Sequence, residues 1–251
     1  NDSGATLLVD GDNGSGIVSV NKAYDLVLKK AKEYGVGMVT GRHNANIGCG
    51  SYYGFRAASD NMIAILCCNT YAFSAPYGGA DRMIGTNPII VSIPTGEEYP
   101  MVLDISTTNV AMGKIQAAQR EGQSIPLGWA NDYDGRPTTD PAQAYALTPI
   151  AAHKGYGLGI IVELFTSIFA GGTTSPHVRN SGNADTSFCF WAVDYGIFGD
   201  KAEIKGRFSN LLQELRDSPK AEGHDRIYTH GEKEKENEAR IKAEGVPVNV
   251  K

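Results

Sequence analysis

Three short stretches bring together side chains whose types and spacing could do chemistry. His153-Lys154-Gly155-Tyr156-Gly157 opens the most apolar run of the chain, residues 155–172. A helix starting there would present free N–H groups and a positive dipole end, and the Lys154 ammonium could converge with them on one anion while the glycines let its oxygens approach. A lysine at a helix start is electrostatically misplaced without an anion; the plain alternative is a surface lysine over a glycine-rich packing turn. Gly41-Arg42-His43-Asn44-Ala45-Asn46-Ile47-Gly48 reads as a polar loop after a buried strand, where α/β proteins usually present functional groups. His43 is either such a group or structural. Asp104, near the end of the apolar run 101–105, either accepts hydrogen bonds from ribose hydroxyls or caps the turn that follows.

The elements that must position these groups follow from apolar periodicity. Residues 6–10 read as a short buried strand, 11–16 as a glycine turn and 17–34 as a helix with Val18, Ala23, Leu26, Val27 and Ala31 at near-helical spacing. A strand at 36–40, a loop at 41–50, a helix at 52–58 and a very apolar strand at 62–68 repeat the idea. Strands at 88–93 and 101–105, a helix at 110–119 and a turn-dominated stretch at 123–146 come next. A long apolar helix at 156–169, a strand at 188–193 and an amphipathic helix at 203–215 complete the core elements. The tail at 231–244 reads as a charged helix with a solvated face, because its charges alternate in sign. Alternating strands and helices predict a layered α/β domain, and the close succession of strands at 88 and 101 predicts an antiparallel pair.

Composition limits the partners. The 251 residues carry 23 basic and 28 acidic side chains, a net charge of −5, so there is no overall positive field for nucleic acid or an anionic membrane. The most apolar run contains Glu163 and is shorter than the ~20 residues of a membrane span; nothing at the N-terminus resembles a signal peptide, and a cytoplasmic location is expected. Cys49, Cys67, Cys68 and Cys189 form no metal-ligand spacing and are expected to be buried hydrophobes; no metal is expected. The dinucleotide fingerprint G-x-G-x-x-G fails at each glycine turn: its third position falls on Ser19, Thr40 or Ile160. If the chain binds a dinucleotide, it does so outside the standard fold.

Several segments together resemble the malate/L-lactate dehydrogenase family of the second type, whose members include ureidoglycolate dehydrogenase, sulfolactate dehydrogenase and diketogulonate reductase. They are VDGDNGSG (9–16), GTNPIIVSIP (85–94), MVLDISTTNVAMGKI (101–115), IPLGWANDYDGRPTTDP (125–141), KGYGLGIIVEL (154–164) and THGEKEKENEARIKAEGVPV (229–248), collinear from end to end. The resemblance implies a three-layer α/β/α fold with an unusual mixed sheet, a non-Rossmann nicotinamide-binding fold. It implies a homodimer and reversible hydride transfer between NAD or NADP and a small 2-keto or 2-hydroxy acid. Carried over by position, cofactor contacts fall on Thr70, Asp104, Ile105, Ser106, Lys154, Gly231 and Glu232. The family's proton-exchanging histidine in its S-N-H-F-G type loop aligns with Asn46, the expected catalytic position, where an amide can polarise a carbonyl but cannot serve as a general acid or base near neutral pH. His43 could compensate only if the loop turned it inward. Family members also begin with a helical segment bearing a Ser-His pair and a carboxylate-binding arginine. The resemblance therefore implies one dehydrogenase domain over residues 1–251 without that segment and without the extreme C-terminus. The alternative reading is a catalytically impaired dinucleotide-binding relative.

Overall fold

The computed structural model describes residues 2–178 and 185–248. Strand β1 (Asp2–Ser3) pairs with β2 (Thr6–Gly14), which leads through α1 (Gly16–Tyr34) into β3 (Val36–Asn44), parallel to β2. Helix α2 (Gly50–Ser59) precedes β4 (Ile63–Cys68), β5 (Ile89–Ile93) and β6 (Met101–Ile105). After α3 (Met112–Glu121), three two-residue strands, β7 (Ala130–Asn131), β8 (Pro137–Thr138) and β9 (Ala146–Leu147), form a small separate sheet. Helix α4 (His153–Glu163), strand β10 (Thr186–Val193), α5 (Lys201–Asp217) and α6 (Glu232–Glu244) complete the chain.

The main sheet has the order β1-β2-β3-β10-β4-β5-β6. β10 lies antiparallel between β3 and β4, and β5 lies antiparallel between β4 and β6. Consequently β2, β3, β4 and β6 all run in one direction, and their carboxyl ends share one edge of the sheet. This is the mixed sheet that the sequence resemblance implies, with the antiparallel pair at 89–93 and 101–105 in place.

The period of two along a strand sorts side chains to opposite faces. In β10, Phe188, Phe190 and Ala192 join Val20, Ala23, Tyr24 and Val27 of α1 in the main core, while Cys189 and Trp191 meet Val162 and Phe165 on the other face. Helices therefore cover both faces, giving three layers. Gly37 lets α1 lie close to β3, since a Cβ there would sit 2.4 Å from the Val27 carbonyl oxygen.

Four local expectations change. β3 continues to Asn44, so the first part of the loop expected at 41–50 is strand. β2 continues to Gly14, so the predicted turn at 11–16 is largely extended, with Asp12 and Asn13 in left-handed conformations. The predicted helix at 156–169 is α-helical only to Glu163 and then widens into a π-helical turn over Leu164–Ile168. There the Thr166 and Ser167 hydroxyls donate to carbonyls four residues back, at 2.7 and 3.0 Å, a habit that distorts helices. Cys49 is exposed rather than buried. No helix among the described residues is long and apolar enough to cross a membrane.

Candidate functional site

The loop after β3, the end of β4 and the end of β6 meet around a cleft of about 290 Å³ lined by Asn46, Gly48, Gly50, Asn69, Thr70, Tyr71 and Asp104. Three residues predicted from distant parts of the sequence, Asn46, Thr70 and Asp104, are thus brought together. Asp104 projects from β6 and its Oδ2 accepts the Ser51 N–H at 2.9 Å, placing a carboxylate at the positive end of α2. Gly50 permits this approach: a Cβ would meet the Ile90 side chain at 2.5 Å. Asn46 uses its Oδ1 to accept the Gly48 N–H at 2.7 Å, fixing the loop and leaving its amide nitrogen without a hydrogen-bond partner among the described residues.

A second cleft of about 280 Å³ shares Asp104 and is otherwise formed by Val102, Tyr228, Thr229, His230, Gly231, Lys233 and Glu234. The segment before α6 lies along the free edge of β6, with the Val102 N–H donating to the His230 carbonyl at 3.1 Å. Gly231 is required here: its φ is 103°, and a Cβ would lie 2.7 Å from the Pro100 carbonyl oxygen. Lys233 supplies a positive charge at the cleft, 4.6 Å from the Tyr228 ring centroid.

The remaining predicted positions behave differently. Glu232 is only 1% exposed and faces inward, bound by the Thr229 hydroxyl (2.6 Å), Arg216 (3.1 Å) and Arg226 (2.8 Å). Burial pushes its carboxyl up, but the Thr229 donors and the two guanidiniums outweigh that and hold it below the usual carboxylate range. The tail helix is therefore not solvated at its first residue. Ile105 pairs with Ile89 in the sheet, and Ser106 donates to the Thr108 carbonyl at 3.0 Å; neither lines a cleft. Lys154 is exposed in the first turn of α4, makes no ion pair among the described residues, and lies outside both clefts.

His43 does not turn into the cleft. In a left-handed conformation (φ 54°), it places Nδ1 2.9 Å from Asp10, whose other side-chain partner is Arg42 at 3.0 Å. The hydrogen bond from His43, then the Asp12 N–H and Arg42, lower the Asp10 carboxyl to about 2. A further cleft of about 430 Å³, between Tyr77, Asn109 and Asp134, contains none of the predicted residues. Its Asn109 amide nitrogen is already committed to Gly128, Thr148 and Pro149.

Sequence reasoning missed Asn69, Tyr71 and Lys233. Tyr71 rests against Phe73 with ring centroids 4.3 Å apart, and its hydroxyl has no hydrogen-bond partner among the described residues. Nothing in local sequence marks it. Lys233 was concealed by the alternating charges of its helix.

The sequence pattern of the malate/L-lactate dehydrogenase family matches residues 1–251. The chain belongs to that family. It is 37% identical over 238 residues to a malate dehydrogenase of Pyrococcus abyssi, covering 90% of this chain and 66% of that protein. An L-sulfolactate dehydrogenase of Methanocaldococcus jannaschii is 38% identical over 247 residues, covering 96% of this chain and 71% of that protein. The crystal structure of malate dehydrogenase from Entamoeba histolytica superposes with a TM-score of 0.95 at 30% identity, covering 100% of this chain and 74% of that one. The chain thus spans about two thirds, 66%, of the length of the Pyrococcus relative. Membership accounts for the collinear motifs, and the solved relative shares the mixed-sheet architecture that carries the two clefts.

Proposed function

We propose that residues 1–251 form one domain that binds NAD or NADP in an oxidoreductase interconverting a 2-hydroxy acid and a 2-keto acid of the malate, lactate, sulfolactate or ureidoglycolate type. The observation that carries this reading is the meeting of two clefts at Asp104, with Asn46 and Thr70 on one side and Gly231 and Lys233 on the other. An elongated ligand with a polar middle fits that shape. Each cleft alone is near the lower end of ligand-site volumes, about 300–1,000 Å³, and the pair together is within range. The donor set also suits a dinucleotide: a carboxylate for hydroxyls, an ammonium for phosphate, and a glycine where a Cβ has no room.

When bound, the cofactor supplies or accepts a hydride. The chain's own residues orient and polarise: the Asn46 amide donates to a substrate oxygen, Thr70 borders the cofactor, and the Tyr71 hydroxyl is the lining group free to pass a proton to that oxygen. Lys154 lies outside the clefts of this chain; in this reading it contacts a phosphate of the part of the dinucleotide that extends beyond them, at the start of α4. A homodimer is part of the proposal, and the exposed apolar row Ile160, Ile161, Leu164, Ile168 and Phe169 is a surface of the kind a second subunit covers.

The second reading, a binder without turnover, is favoured by one observation, the amide of Asn46 at the expected acid–base position. Calorimetric titration of the full-length protein with NADH and NADPH, followed by a turnover panel of 2-keto acids, separates the two. Binding with turnover supports the dehydrogenase; binding alone supports the impaired relative; no binding of either nucleotide removes both. Lys154→Ala should weaken binding by about 1–3 kcal/mol through loss of a charged contact. An unchanged affinity removes Lys154 from the site.

A further inference from the structure

Glu163 is the sole charged residue in the apolar run 155–172. It closes α4 immediately before the π-helical turn, is half-buried, and its carboxylate meets residues that flank β4 and β5. One oxygen, Oε1, accepts Asn87 Nδ2 at 2.9 Å and the Ser175 hydroxyl. The other, Oε2, accepts the Ser167 hydroxyl at 2.8 Å, the Ser175 N–H at 3.3 Å and Asn69 Nδ2 at 3.5 Å. No lysine, arginine or histidine among the described residues pairs with it. Every neighbour is a donor, so this position demands two acceptor oxygens.

That demand reaches the cleft through Asn87. This residue is fully buried with a left-handed backbone (φ 36°), and its Nδ2 donates both to Glu163 and to the Gly159 carbonyl at 3.1 Å. With the nitrogen directed at two acceptors on α4, the amide oxygen must point the other way, where it accepts the Thr70 N–H at 3.2 Å. Space around the relay is tight, since a Cβ on Gly85 would lie 2.3 Å from Asn87 Oδ1 and 2.5 Å from Thr70 Oγ1. Asn69, the neighbouring cleft residue, is held in the same way: its Nδ2 donates to Thr173 at 2.8 Å and its Oδ1 accepts the Ser187 N–H at 2.7 Å.

We propose that Glu163 is a positioning residue for the nucleotide cleft, dictating the orientation of the Asn87 amide and through it the placement of Thr70. The inference rests on the reading of that cleft as the cofactor site. Glu163 touches no ligand itself. Exchanging one of its oxygens for an amide sets donor against donor, and where that amide faces Asn87 Nδ2 it pushes the Asn87 side chain out of register with both the Gly159 carbonyl and the Thr70 N–H, which then loses its acceptor.

The test uses the full-length protein and the variants Glu163→Gln, Glu163→Gln/Asn87→Asp and Thr166→Val. The last perturbs the same helix, at a buried hydroxyl bonded to the Val162 carbonyl, outside the relay. Amide hydrogen exchange at Thr70, measured without nucleotide, should speed up about tenfold in Glu163→Gln, the scale of one backbone hydrogen bond. It should recover at least partly in the double variant, where the carboxylate introduced at position 87 can accept both from the amide introduced at position 163 and from the Thr70 N–H. The dissociation constants for NADH and NADPH should follow the same order, while Thr166→Val lowers only the melting temperature. Unchanged Thr70 exchange in Glu163→Gln overturns the proposal, as does a loss of affinity that simply tracks melting temperature across all three variants. If Glu163→Gln does not fold, the double variant against Asn87→Asp alone reads the same dependence. A wild-type protein that binds neither nucleotide overturns the cofactor reading, and the exchange measurement still decides whether Glu163 positions Thr70.

Discussion

Replacing Glu232 by glutamine tests the latch that holds the second cleft. The carboxylate is 1% exposed and accepts from two guanidiniums and a hydroxyl, so the substitution leaves buried donors facing a neutral amide. Removing one partner of a buried ion pair costs about 3–5 kcal/mol. Here the lower end applies: Arg216 keeps Glu97 at 2.5 Å, Arg226 keeps Glu236 at 2.6 Å, and Arg226 is itself half exposed, where screening reduces the contribution. A loss of about 3 kcal/mol corresponds to a melting temperature lower by about 6–12 °C for a domain of this size. The pH dependence follows from linkage. Because the folded carboxyl lies below its ordinary value of 4.5, its stabilisation is complete above that value and is lost as pH falls through the folded value. Calorimetric melting of both proteins should therefore show a wide gap at neutral pH that narrows below about pH 4.5. Melting temperatures within about 2 °C at neutral pH, or a gap that persists on acidification, would refute the latch.

Thiol labelling of the native protein should modify one cysteine per chain, Cys49, because Cys67, Cys68 and Cys189 are buried and burial pushes the Cys68 thiol up to about 12. Cys49 lines the first cleft, so saturating NADH should slow its labelling; equal rates with and without nucleotide would place the nucleotide elsewhere. Asn46→His should add a titration near pH ~6–7 to the rate profile if this position faces the reacting oxygen. An unchanged profile would remove Asn46 from the chemistry.

Strand and helix identity was legible because the periodicities are strong: of the apolar positions read on α1, Ala23, Val27 and Ala31 are buried, while Val18 and Leu26 are exposed and Val20 and Tyr24 fill the core instead, and β10 alternates faces residue by residue. The mixed sheet was implied by resemblance, not by periodicity, since strand order depends on long-range pairing such as β10 between β3 and β4. At the candidate site, Asn46, Thr70 and Asp104, which the resemblance gave by position, line one cleft, whereas Glu232 occupies a structural position that alternating charges could not reveal. One signal was present and unused. A lone carboxylate in an apolar helix must meet donors, and Glu163 was visible in the sequence as that carboxylate.

The failed dinucleotide fingerprint at residues 11–16 has a physical explanation that also bears on the candidate cleft. Glycines in such a turn ordinarily let phosphate oxygens reach a helix N-terminus. Here the approaching oxygens belong to the protein: a Cβ on Gly16 would lie 2.2 Å from the Ala45 carbonyl oxygen and 2.7 Å from that of Asn46, and one on Gly11 would lie 2.1 Å from Asn44 Oδ1. Peptide carbonyls from the loop after β3 therefore pack against Gly16 at the start of α1, whose Ser15 cap offers no side-chain hydrogen bond. What the close contact achieves instead is to anchor the loop that carries Asn46 against α1. Because β3, β4 and β6 end at the same edge, anchoring that loop brings Asn46 across from Thr70 and Asp104. The candidate cleft thus sits where open α/β sheets generally hold ligands, at the carboxyl ends of strands, while the glycine turn serves the protein's own backbone.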